Sequence, residues 1–289
     1  MQAAPFATGA RLSGVQAAFI CKLARERGGL SIAPEKIAFL EQRLNRRLRA
    51  TGIGDFGAYI NSLQDNRTGA DQEIGALVEA LTTHTTSFFR EPTQFGWLDL
   101  AGLPALAALG CGIERPLSVW SAACSTGAEA WTAAMVLDRF SARQTRPIRW
   151  NVIGTDISAP VVERARRAVY AEAEIAGLPE DFRKAYLLRS RKVEGKAPLF
   201  RIAPEIRKRA VFHQINLVEQ GQLPDGWVDV AFLRNVLIYF DAAGRREAIR
   251  NVLSRLRTDG FLLTGHSESL NPVPPDLLQV GPSIYRKLR

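Results

Sequence analysis

The chain has 289 residues, 46% of them hydrophobic and 23% charged, which excludes a disordered, fibrous or repeat-only protein and allows a substantial core. Its length accommodates one large domain and a smaller one, since domains run to about 100–200 residues. The 38 Lys and Arg against 29 Asp and Glu leave a formal charge of +9, which favours an acidic partner: nucleic acid, an anionic membrane surface or an acidic protein.

Three cysteines, Cys21, Cys111 and Cys124, have no CxxC spacing, so neither a disulfide framework nor a structural zinc site is expected. The opening "MQAAPFATGARLSG" lacks a signal-peptide core, and no apolar run is long enough for a membrane span. A cytoplasmic protein without membrane insertion or metal is expected.

From residue 13 to about 90 the apolar positions recur at helical spacing, which predicts a helical bundle. Ile37, Leu40, Leu44 and Leu48 form one stripe, and Lys36, Arg43 and Arg47 fall together beside it, with Arg46 a little further round, as a basic ridge. Taken alone, such a cluster is an ordinary solvated face. "LAGLPALAALGCGIERP" (100–116) mixes a short helix with Gly and Pro and is expected to be a connection.

Beyond it the rhythm changes. "LSVWSAA", "IRWNVIGTD", "RAVFHQINL", "VDVAFLR" and "GFLLTGH" are short apolar runs alternating with helical stretches such as "AEAWTAAMVLDRF" and "GRREAIRNVLSRLR". That alternation predicts an α/β domain with a parallel sheet covered on both faces. The terminal "SIYRKLR" offers one more strand. Residues 187–210 break the alternation with a basic insertion that carries its own apolar piece, "PLFRI", and predicts a small separate sheet.

Ligands of open parallel sheets bind at the carboxyl ends of the strands. Four ends carry polar or acidic residues: "CSTGAE" with Gly127 and Glu129, "GTD" with Asp156, "INL" with Asn216 and Leu217, and "RNVLIY" with Asn235, Val236 and Tyr239. An acid ending the second strand suits the two hydroxyls of a ribose. The single glycine of "ACSTGAEA" disfavours a pyrophosphate, and Glu129 would repel one but attract an ammonium or sulfonium. S-adenosylmethionine, with ribose, adenine and two cationic centres, matches these features.

The segments "LTTHTTSFFREP", "VWSAACSTGAEAW", "GTDIS", "INL", "FLRNVLIYFD" and "DGFLLTGHSESL" resemble, in order, the motifs of the chemotaxis receptor glutamate methyltransferases, the CheR family. The resemblance implies a Rossmann-like S-adenosylmethionine-dependent methyltransferase domain (91–289), an N-terminal helical domain (1–90) and a small inserted β-subdomain (about 187–210). It implies that His84, Thr86, Arg90, Glu129, Asp156, Asn216, Leu217, Asn235 and Val236 surround S-adenosyl-L-methionine, that Arg90 and Tyr239 border the methyl-transfer site, and that Lys36, Arg43, Arg46 and Arg47 meet the substrate. The implied partner is the cytoplasmic domain of a methyl-accepting chemoreceptor, met by a monomer, with S-adenosyl-L-homocysteine as product.

The chain departs from the family pattern at His84, where Asn is usual, and at Ala128 and Ala130, where an acid and Pro are usual. A nucleic-acid methyltransferase is the first rival, although "NVLIYF" offers no proline-aromatic platform for a flipped base. A catalytically silent scaffold is the second. The insertion from Arg189 to Arg209 carries eight basic residues, Lys192 and Lys196 among them, against Glu194 and Glu205. It is expected to touch acidic receptor surface diffusely rather than to grip a peptide.

Overall fold

The computed structural model describes residues 11–64, 69–191, 194–195, 197–219 and 223–289. Lys192 and Lys196 of the basic insertion lie outside the described residues. Two compact units emerge: residues up to Thr83 together with Ile238–Arg246, and His84–Leu237 together with Glu247–Arg289.

The first unit holds four helices, α1 (Gly14–Gly28), α2 (Ile37–Thr51), α3 (Phe56–Gln64) and α4 (Ala70–Leu81). A capping box starts α1, with Gln16 N–H donating to Ser13 Oγ and Ser13 N–H to Gln16 Oε1. Leu40 and Leu44 of the α2 stripe are fully buried with Ile20, Tyr59 and Leu77, and that burial is what holds so polar a helix in place. Ile238–Arg246 completes the unit: Phe240 bridges Leu30, Ser31 N–H donates to the Tyr239 carbonyl at 2.6 Å, and Arg25 pairs with Asp241 at 3.3 Å.

The second unit opens with helical turns α5 (Pro92–Trp97) and α6 (Leu103–Ala108), joined by a wider π-turn over Leu98–Gly102. Its strands are β1 (Leu117–Ser121), β2 (Trp150–Asp156), β3 (Val169–Ala171), β4 (Leu187–Arg189), β5 (Leu199–Ile202), β6 (Ala210–Gln214), β7 (Val228–Leu233), β8 (Leu256–Thr264), β9 (Leu277–Gly281) and β10 (Ile284–Lys287). Its helices are α7 (Ala128–Ala142), α8 (Ala159–Arg167), α9 (Glu180–Tyr186), α10 (Pro204–Arg207) and α11 (Ala242–Arg255), the last beginning in the first unit. Seven strands form one sheet in the order β6-β2-β1-β7-β8-β10-β9.

The five strands from β6 to β8 run parallel, as the apolar runs predict, and every residue of β1 and β7 is buried. β10 pairs antiparallel with both β8 and β9, so the sheet is mixed rather than purely parallel. β9 was not predicted, because "LLQVG" is too short and too exposed to alternate clearly. β3, β5 and β4 make a separate antiparallel sheet whose first strand precedes the 187–210 stretch. Tyr170 of β3 donates its hydroxyl to the Thr126 carbonyl at 2.7 Å, which ties this small sheet to the turn after β1. At the opposite end of the main sheet the buried Asp229 accepts from Ser118 N–H at 2.8 Å and pairs with Arg115 at 2.6 Å and Arg257 at 3.4 Å.

Candidate functional site

β1 lies between β2, its partner on one side, and β7 on the other, so the order of connection reverses at β1 and a crevice opens at its carboxyl end. Cys124, Ser125, Thr126 and Gly127 carry the chain from β1 into α7. Gly127 caps α7 at φ 91°, and a Cβ there would lie 2.8 Å from that of Ala165. Only glycine supplies both the left-handed backbone and the close approach of α7 to α8. Ser125 is also left-handed, at φ 50°; its Oγ donates to the His84 carbonyl at 2.7 Å.

Ser125 N–H donates to Asp156 Oδ2 at 2.8 Å, and Ser158 N–H to Asp156 Oδ1 at 3.1 Å. The Asp156 carboxylate at the end of β2 therefore fixes the turn after β1 and the start of α8. Burial pushes its pKa above the ordinary value, and these N–H donors together with the neighbouring His84 oppose the rise. Glu129, in the first turn of α7, accepts from Ser121 Oγ at 2.7 Å and from Arg234 at 3.1 Å. Burial raises its pKa too, against the pull of Arg234.

Arg234, directly after β7, was not singled out from the sequence, yet it is the hub of the site. Its side chain is fully buried, its guanidinium lies over the rings of Phe95 and Phe232, and it reaches Glu129, Glu91 (3.2 Å) and the Arg90 carbonyl. The charged partners that explain its burial lie more than a hundred residues away along the chain, so no local pattern announces them.

The 84–91 segment runs along this hub. Arg90 turns its guanidinium back to the Thr85 carbonyl at 3.0 Å, and Thr86 is half-buried beside it in sequence. Phe89 and Glu91, which flank Arg90, are both left-handed, at φ 51° and 57°. Asn235 (φ 56°) donates its N–H to Glu268 and its Nδ2 to Glu91 at 3.4 Å. Four of the seven left-handed non-glycine residues among the described residues are thus Phe89, Glu91, Ser125 and Asn235, and backbone strain concentrates where the predicted cofactor residues meet.

The "GHSE" motif has a physical reason here. Buried Glu268 also accepts from Gly265 N–H at 3.2 Å, a Cβ on Gly265 would lie 2.5 Å from Glu268 Oε2, and His266 Nε2 stands 3.7 Å from Glu91. After β6, Asn216 accepts from Val218 N–H at 3.3 Å and donates to Glu219 at 3.1 Å, while Asn251 holds the Leu217 carbonyl at 2.9 Å. Val236, half-buried, follows Asn235.

His84, Thr86, Arg90, Glu129, Asp156, Asn216, Leu217, Asn235 and Val236 therefore all belong to the larger unit, at the end of β2, in the first turn of α7, on the loops that follow β6 and β7, or on the 84–91 segment. Tyr239 belongs to the amino-terminal unit, as does the basic ridge. Within the ridge the four cations differ in their surroundings. Arg47 is not a free ridge cation: it forms a two-pronged pair with Glu73 at 2.9 and 2.6 Å, and Tyr59 donates its hydroxyl to the same carboxylate at 2.5 Å. Lys36 and Arg46 are exposed, and Arg43 lies half-buried over the Phe39 ring at 5.1 Å.

The donor set fits S-adenosylmethionine. Each carboxylate oxygen has two lone pairs; those of Asp156 each take one backbone N–H and those of Glu129 one side-chain donor, so both acids retain acceptors for ribose hydroxyls and an ammonium. Among the described residues there is no His/Cys/Asp/Glu cluster suited to a metal and no helix long and apolar enough to cross a membrane.

Comparison with known proteins agrees. Residues 84–283 match the family described as CheR methyltransferase, SAM binding domain, and residues 16–82 the CheR methyltransferase, all-alpha domain. The chain is similar to the chemotaxis protein methyltransferase of Salmonella typhimurium, at 34% identity over 92% of this chain and 88% of the relative. It is similar to chemotaxis protein methyltransferase 2 of Pseudomonas aeruginosa, at 34% over 89% and 87%, and to the chemotaxis protein methyltransferase of Borreliella burgdorferi, at 31% over 93% and 92%.

Proposed function

The chain belongs to the CheR methyltransferase family, an S-adenosylmethionine-dependent enzyme family, and from that premise we propose that it esterifies glutamate side chains on the cytoplasmic helices of a methyl-accepting chemoreceptor. The observation that carries the cofactor side of this reading is the pair of largely buried carboxylates, Asp156 at the end of β2 and Glu129 in the first turn of α7, each with acceptor capacity left over. The names of the relatives support the acceptor side.

Bound S-adenosylmethionine supplies a methyl group activated on a sulfonium. Asp156 receives the ribose hydroxyls, Glu129 the methionyl ammonium, and Asn216, Leu217, Asn235 and Val236 complete the enclosure with His84 and Thr86. A glutamate side chain is already ionised at neutral pH, so the displacement needs no general base. It needs in-line alignment and loss of water from the two reacting groups. Opposite charges cancel as the carbon–oxygen bond forms and the carbon–sulfur bond breaks, so a strong counter-ion on the carboxylate would stabilise the ground state more than the transition state. Arg90 and Tyr239 accordingly orient the acceptor rather than neutralise it. Lys36, Arg43 and Arg46 meet the acidic receptor helix, and the basic insertion adds a diffuse contact with acidic receptor surface.

The test is transfer of labelled methyl to receptor cytoplasmic fragments carrying Glu or Gln at the acceptor positions. Label confined to the Glu fragments and released as methanol by mild base is the expected result. Alkali-stable label, or transfer to nucleic acid instead, overturns the reading.

A further inference from the structure

Two buried acidic clusters in the larger unit are neutralised in opposite ways. Asp229 alone has Arg115 and Arg257 beside it. Glu91 and Glu129 share the single guanidinium of Arg234, at 3.2 and 3.1 Å, in a place where the Arg234 side chain is wholly buried and the two glutamates are only 15% and 13% exposed. In direct contact, one cation stands between two carboxylates in a region of low polarisability, an unfavourable arrangement for the chain alone.

The geometry shows how the charge is divided. Arg234 makes an aligned hydrogen bond to Glu129, whereas Glu91 Oε2 is buried beside the guanidinium without one. Glu91 stands at the amino end of α5 yet does not cap it; its backbone is held left-handed at φ 57°. A glutamate is put in a costly conformation to bring its charge to Arg234, where Asn235 Nδ2 at 3.4 Å and His266 at 3.7 Å also face it.

We propose that Glu91 is a positioning residue for cofactor binding: by sharing Arg234 it prevents that guanidinium from neutralising Glu129, and so keeps a negative site for the ammonium of S-adenosylmethionine. This rests on Glu129 as the ammonium contact. Glu91 itself touches no cofactor; it acts through Arg234. Arg234, Glu91 and Arg90 act electrostatically on Glu129, and of these Glu91 alone adds to the negative potential there.

The test is a double-mutant cycle read by calorimetric titration with S-adenosylmethionine and with S-adenosylhomocysteine, which share the ammonium. Glu91→Gln is expected to weaken both ligands by about tenfold, a coupling of the size expected across one guanidinium at an effective dielectric near 20, and to have no further effect in a Glu129→Gln background. Should Glu91→Gln not fold, Glu91→Asp keeps the charge but withdraws it from Arg234 and is expected to weaken both ligands about two- to threefold. If Glu129→Gln binds both ligands as the parent does, the ammonium assignment and this proposal fall together. If Glu129→Gln is weakened but a folded Glu91 variant binds as tightly as the parent, or the two substitutions add in full, the Glu91 proposal alone is overturned. Methyl transfer to receptor is not needed for any of these readings.

Discussion

Replacing Asp156 by Asn is usually regarded as a charge-only change, and the geometry says that here it is not. Both carboxylate oxygens accept a backbone N–H, from Ser125 at 2.8 Å and from Ser158 at 3.1 Å. Asparagine has one oxygen and one NH₂, so in either amide orientation one of these N–H groups faces another donor. A buried donor without a partner costs about 1–3 kcal/mol, and relief of the buried charge offsets part of it. A net loss of about 1–2 kcal/mol corresponds to a fall of about 3–6 °C in Tm for a unit of this size. The ligand-free variant should therefore melt lower before any cofactor is added, and its affinity for S-adenosylmethionine should fall a further 10- to 100-fold, the scale of a hydrogen bond to a charged group. Thermal unfolding of the ligand-free chain and calorimetric titration separate the two losses. A variant that melts with the parent refutes the claim that Asp156 holds the two turns; one that binds with parental affinity removes Asp156 from the cofactor site.

Three other outcomes are expected. Tyr239→Phe should lower kcat while leaving the affinity for S-adenosylmethionine unchanged, and equal kcat would take Tyr239 out of the mechanism. Burial raises the pKa of Glu129 above its ordinary 4.5, so its contribution to the stability of the ligand-free chain is present below that value and lost as pH rises through the raised one. Binding of a cation favours the ionised form, and affinity should climb through the same window and level off above it; calorimetry across pH reads this, and a flat profile would contradict it. Reversing Arg43 and Arg46 to Glu should raise the KM for receptor and flatten its salt dependence without lowering Tm, whereas Arg47→Glu should destabilise the helical unit by about 1–3 kcal/mol, because it leaves the half-buried Glu73 beside a second carboxylate.

The contrast between Arg46 and Arg47 shows where the sequence stops being readable. Helical spacing places Arg47 beside the Leu40–Leu44 stripe and Arg46 a little further round, but nothing local tells that Glu73 and Tyr59, on two other helices, meet Arg47. The parallel strands were legible because β1 and β7 are buried on both faces and so are apolar throughout. Asp156, Glu129, Asn216 and Asn235 stand out as candidates because strand ends in such a sheet face a crevice. Arg234 does not: beside Asn235 it looks like one more polar residue at a strand end, and only the fold brings Glu91 and Glu129 to it. The same holds for the left-handed backbone at Phe89, Glu91 and Ser125, since none of these residue types favours that region and each is held by tertiary bonds rather than by its own preference.

The return of Ile238–Arg246 to the amino-terminal helices has a consequence for how the chain is made. A ribosome delivers α1 to α4 first, and domains commonly fold as they emerge. Here Leu30 has no bridge partner, Ser31 no acceptor at Tyr239 and Arg25 no Asp241 until residue 241 has left the exit tunnel. By then β1, β2, β6 and β7 are already synthesised. The unit that begins the polypeptide thus waits for a segment made after β7, and a fragment cut after Thr83 would be an unfinished body rather than a transplantable module.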